Sequence, residues 1–94
     1  MPMYAIRRHL GPISREELDA AAFRATVCAA EYDGLHWERS FWNPAREEIV
    51  CYYVARSPEQ VQQHSRQSNI PCDDVVEVTE VLPEVYASAT PAAR

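Results

Sequence analysis

Cys51–Val78 reads CYYVARSPEQVQQHSRQSNIPCDDVVEV, and this stretch decides the fold. It holds an apolar strand, a sharply started helix with one histidine, an Ile-Pro-Cys turn and a returning strand. Residues 49–55 are apolar or aromatic on both faces, which predicts a strand covered on both sides. Ser57-Pro58-Glu59 supplies an N-cap, a proline at the first helical position and an acid in the first turn. The helix should end near Ser68-Asn69, before Pro71. Val61 is its main apolar anchor, so its inward stripe must include His64 or Ser65, and Ser68. Asp74–Leu82 then reads as the last strand.

Working outward, Met3–His9 suits a first strand, and Gly11-Pro12 breaks it. Ser14-Arg15-Glu16-Glu17 is a capping box that starts a helix running to about Tyr32, where Asp33-Gly34 stops it. Leu18, Ala21, Ala22, Ala25, Cys28, Ala29 and Tyr32 recur at helical spacing and form its inward stripe. The alanines allow close approach to a sheet. Leu35–Trp42 alternates, which predicts Leu35, Trp37 and Phe41 on one face and His36, Glu38, Ser40 and Trp42 on the other. Asn43-Pro44-Ala45-Arg46 supplies turn residues for a hairpin.

The order is β-α-β-β-α-β, an α+β ferredoxin-like arrangement: a four-stranded antiparallel sheet with two helices on one face. The other face is bare, yet the third strand reads as buried on both sides. Two copies joined sheet to sheet, a dimeric α+β barrel, would reconcile these readings and enclose a space for a ligand. Residues 1–84 are expected to form the domain and 85–94 a flexible tail.

The chain has 94 residues, 47% of them hydrophobic and 24% charged, which suits one small globular domain. A net charge of −5 argues against nucleic acid as a partner. No apolar run reaches the roughly 20 residues that span a bilayer, and no signal pattern opens the chain, so the reading is cytoplasmic, without a membrane partner. Three widely spaced cysteines fit free thiols in a reducing compartment.

Few groups here carry chemistry. His64 is either an amphipathic filler at the helix–sheet boundary or a metal ligand and acid/base group. His9 ends strand one, while His36 and Glu38 share a face of strand two. If those faces coincide, two imidazoles and a carboxylate converge on a site suited to nickel or zinc. Otherwise they are solvated side chains. Cys51 reads as a small core hydrophobe, and Cys72, after Pro71, is either better exposed for metal or redox chemistry or simply a capped turn residue. Tyr52, Tyr53, Trp37 and Trp42 read as core or interface aromatics.

W37-E-R-S-F41, C51-Y-Y-V-A55, H64-S-R-Q-S-N-I-P71 and the closing V-V-E-V78 together resemble a family of small bacterial proteins. It is catalogued as domain of unknown function 4242 and includes nickel-binding members. Y4-A-I-R-R-H-L10 and the S-x-E-E-L helix start fit the same pattern, so the likeness covers the chain to about Glu84. The resemblance implies a ferredoxin-like fold, a homodimer or higher homo-oligomer, and a divalent metal, nickel, as cofactor. Cys51, Tyr53, His64 and the segment around Pro71-Cys72 are the positions that carry over. Two positions depart: Arg7 and Arg39 stand where such members often have acidic or imidazole groups, and a guanidinium repels a cation.

The leading expectation is a divalent-metal-binding protein with His9, His36, His64 and Cys72 as ligand candidates and Glu38 nearby. An alternative is a cyclase-, isomerase- or monooxygenase-like enzyme on an anionic or polyketide-like small molecule. There Arg7 and Tyr53 would bind the ligand, while His64, Arg39 and Glu38 would act on it. A third reading is a structural or interaction module without a site.

Overall fold

The computed structural model describes residues 1–89. Its elements run β1 (Met3–His9), α1 (Arg15–Ala29), β2 (His36–Asn43), β3 (Glu48–Val54), α2 (Pro58–Gln67), β4 (Asp74–Val78) and α3 (Pro83–Ala89). The strands pair antiparallel in the order β2-β3-β1-β4. This is the ferredoxin-like α+β fold expected from the sequence.

The helix starts follow from their local chemistry. Glu17 N–H donates to Ser14 Oγ at 3.1 Å and Ser14 N–H donates to Glu17 Oε1 at 2.7 Å, the two bonds of a capping box. Gln60 N–H donates to Ser57 Oγ at 3.2 Å, with Pro58 at the first helical position. Gly34 adopts φ 84, the left-handed backbone that the stop after α1 requires. The hairpin between β2 and β3 is one 3-10 turn over Pro44–Arg46, with Asn43 Oδ1 accepting from Arg46 N–H.

Alternate residues of β1 and β3 supply the core. Tyr4, Ile6, Ile49, Cys51 and Tyr53 are buried together with Leu35, Ala55 and Val61. Every member of the predicted α1 stripe is at least half-sheltered, with Ala25 fully buried. On α2, Val61, His64, Ser65 and Ser68 are all buried. A helix with so polar an inward face must satisfy it internally, and it does so largely through α1 and β1. His64 Nε2 donates to Ala25 O at 2.8 Å, Ser65 Oγ accepts from Arg8, and Ser68 Oγ donates to His64 O.

Three boundaries differ from the sequence reading. The helix α1 ends at Ala29, not near Tyr32, because two further turns lead into Gly34. The strand β4 ends at Val78, where β1 has no residue left to pair beyond Met3. Residues 83–89 form α3, and the rest of the expected tail, 90–94, lies outside the described residues.

The largest correction is in β2. Its pairing with β3 shifts by one residue between Trp37 and Arg39, a bulge that takes up Glu38. The shift reverses the facing of every residue beyond it. Trp37, Ser40 and Trp42 oppose buried Tyr53, Cys51 and Ile49, so they face the helices. His36, Arg39 and Phe41 oppose Val54, Tyr52 and Val50 and face the other way. Strict alternation from Leu35 therefore misplaced Phe41 with Trp37, and Ser40 and Trp42 with His36.

Candidate functional site

The register lays out the bare sheet face residue by residue, because directly paired residues share a face. Across the sheet, Glu48 lies beside His9; Phe41, Val50, Arg7 and Asp74 form the next row. Arg39, Tyr52, Ala5 and Val76 follow, then His36, Val54, Met3 and Val78. The middle of this face is apolar, with Phe41 and Tyr52 in an edge-on contact at 6.3 Å. Charge sits at its borders. Arg7 Nε lies 3.9 Å from Glu48 Oε1, and Arg39 flanks a shallow groove of about 240 Å³ with Phe41, Tyr52 and Glu80.

His9 and His36 are both exposed on this face, at opposite ends of it. They pair with Glu48 and Val54, six residues apart on β3, which separates them by roughly 20 Å. The convergence considered from sequence does not occur within one chain. Glu38 sits exposed in the bulge. Among the described residues no group of three or more His, Cys, Asp or Glu side chains could hold a metal ion. Glu48 was missed as a candidate. Its signal was available only through the register that makes it the cross-strand neighbour of His9.

His64 lies on the other side of the sheet, fully buried under α1. Nε2–H is committed to the Ala25 carbonyl, so Nδ1 carries the lone pair, and it has no hydrogen-bond partner among the described residues. Tyr32 and Tyr53 pack on its ring at 5.7 and 5.5 Å. Burial lowers the His64 pKa, the Ala25 hydrogen bond opposes that, and the nearby Arg8 charge lowers it further. The imidazole is thus held neutral. Cys72 packs half-buried at the edge of the core. The next residue, Asp73, bonds to both Arg7 O and His9 N–H and so docks this segment on β1.

The pairing of Arg7 with Tyr53 in one binding site fails on the same geometry. Tyr53 faces the helices and Arg7 faces away from them. His64 and Arg39 are likewise on opposite faces, so the acid/base set His64, Arg39 and Glu38 does not assemble. The guanidinium that does approach Tyr53 is that of Arg8, 6.0 Å above its ring. Arg8 is only 2% exposed, and sequence reading passed over it because a charged residue on an alternating strand defaults to solvent.

Burial pushes the Tyr53 phenol up to about 12, although the Arg8 charge acts in the opposite direction. A spectrophotometric titration of the folded protein should therefore show a phenol step near 12, and Tyr53→Phe should remove it. A first phenol ionising at the ordinary tyrosine value in the wild type, and lost in that variant, would contradict this burial.

A small α+β protein with a buried polar knot beneath its helices and a bare, histidine-bordered sheet face is the class these features define. The chain belongs to the nickel responsive protein SCO4226-like family, whose model matches residues 4–78. The match does not by itself confirm the designation 4242. Among solved structures, the chain is similar to the crystal structure of SCO4226 from Streptomyces coelicolor A3(2), at 21% identity and a TM-score of 0.76. The match covers 85% of this chain and 99% of that one, and it supports the fold. No curated protein matches the chain.

Proposed function

We propose that this protein is a homodimer that joins its two bare sheet faces and binds a divalent metal, nickel foremost, between the copies. The observation that carries this reading is that both exposed histidines border the one sheet face the helices leave uncovered. The family description, nickel responsive, supports the choice of metal. Within one copy the donors do not fit a metal. His64 is buried with Nε2 occupied, and His9 with Glu48 supplies only half a coordination set. Imidazole and carboxylate together suit nickel, but two donors fall short of its usual coordination. A second copy, turned so that its His36 end overlies His9, would complete two equivalent sites by symmetry.

The bound metal would supply Lewis acidity or simply be carried. His9 and His36 would hold it, and Glu48 would be drawn from Arg7 toward it. Arg7 and Arg39 would keep the face from collecting cations elsewhere. Free Cys28, Cys51 and Cys72 suit a reducing, cytoplasmic setting.

Untagged protein should sediment as a dimer and bind nickel in calorimetry. His9→Ala should weaken that binding at least tenfold, as loss of a metal-organising residue does, while His64→Gln should leave it intact. Nickel affinity unchanged in a His9→Ala, His36→Ala double variant would overturn the assignment.

A further inference from the structure

We infer that the cavity between α1 and the sheet, on the face opposite the proposed metal site, is a binding site for a short-chain monocarboxylate held by Arg8. Arg8 is 98% sheltered and has no carboxylate partner among the described residues. Its Nη1 donates to two neutral acceptors, Ser65 Oγ at 2.9 Å and Pro71 O at 2.7 Å. Its Nη2 is buried and makes no hydrogen bond. Arginine does not shed its proton to escape such a setting, so the charge stays uncompensated by any anion among the described residues. A guanidinium with one nitrogen anchored and the other buried and unpaired beside the Tyr53 phenol has a hydrogen left for a carboxylate oxygen, once the side chains around it move aside.

The space beside it fixes the rest of the ligand. Arg8 and Tyr53 line a partly enclosed cavity of about 50 Å³ whose other walls include Leu10, Leu18, Ala22 and Ile49. The alanines of α1 leave this room where larger side chains would fill it. An apolar cavity of about 150 Å³ takes benzene, so this one encloses about two or three non-hydrogen atoms, and the rest of a ligand lies in its open mouth. A tetrahedral dianion would need more donors than one guanidinium and a phenol, and it would meet an apolar wall. A mono-anion with a tail of one or two carbons fits both ends: its carboxylate on Arg8, its alkyl group against Leu18 and Ile49.

The test is a titration of isotope-labelled protein with sodium propionate, followed by NMR, with sodium chloride at equal ionic strength as control. Saturable shifts at the Ala22 methyl and the Arg8 Nε–H are expected with propionate and not with chloride. A ligand this small binds weakly, no tighter than micromolar. Arg8→Met should weaken binding at least tenfold, and Ala22→Leu, which fills the tail space, should do the same. If Arg8→Met fails to fold, Ala22→Leu decides. His9→Ala should have no effect, which separates this site from the metal reading. Absence of saturation at tens of millimolar propionate, equal shifts with chloride, or undiminished binding by Ala22→Leu would each overturn the proposal.

Discussion

His64→Ala is expected to cost the protein roughly 2–5 kcal/mol of folding stability. A domain of this size has about 5–14 kcal/mol in all. The imidazole is fully buried between two tyrosine rings, and its Nε2–H satisfies the Ala25 carbonyl of α1. Truncation leaves a cavity and removes a buried hydrogen bond to that carbonyl, and the α1–α2 seam has few other direct links. Arg24 Nε to Ser68 O and Tyr32 Oη to Gln67 Oε1 are the neighbouring ones. A fall in melting temperature of roughly 10 °C or more should result. His64→Gln, which retains a donor, should lose less. A variant melting within a degree or two of wild type would show that this contact does not hold the helices together.

The same residue sets an acid limit. Its pKa in the folded chain is lowered from the ordinary value of 6.5, chiefly by burial. Below that value the unfolded chain takes up a proton that the folded chain resists, so the unfolded state binds more protons and stability falls with falling pH. This loss begins near the unfolded pKa and continues down to the folded one, with a slope of at most about 1.4 kcal/mol per pH unit from this group. Above it His64 is neutral in both states and contributes no slope. Urea unfolding of wild type and His64→Gln between mildly acid and neutral pH should differ in slope by this component. Identical slopes would place the imidazole in contact with water.

Ala5→Asp should turn the proposed dimer into a monomer without unfolding the chain. Ala5 sits in the middle of the bare face, between Tyr52 and Val76, and the helices do not cover it. If two copies join through this face, symmetry buries two new carboxylates at once. Each unpaired buried charge costs several kcal/mol, so dissociation should rise on the order of a thousandfold or more. Sedimentation should report the change, while far-UV circular dichroism stays that of the wild type. A variant that sediments like wild type at every concentration would remove this face as the interface, and with it the shared metal site.

The candidate sites were legible in very different degrees. Ser57-Pro58 and the Ser14 capping box are local signals, since a cap acts within four residues, and both helices start where those signals stand. The inward stripe of α2 was readable too, because only Val61 and its neighbours at helical spacing face one way. Residues acting through strand register were not. A single extra residue at Glu38 reversed the facing of Ser40, Phe41 and Trp42, and nothing local in His36–Asn43 marks the bulge. His9 and Glu48 meet only because β1 pairs with β3 end to end.

Sequence alone determined the βαββαβ order, the helix starts and the burial of Cys51, because caps, periodicity and apolar runs act over short stretches. Cys51–Val78 contains most of those signals. Tertiary structure alone decided that His64 is a buried link between helices, that His9 and His36 stand at opposite ends of one face, and that Arg8 rather than Arg7 enters the core. Whether a polar side chain meets water, a partner or an apolar wall depends on strand register and on which face the helices cover. Both are set by contacts between residues far apart in the chain.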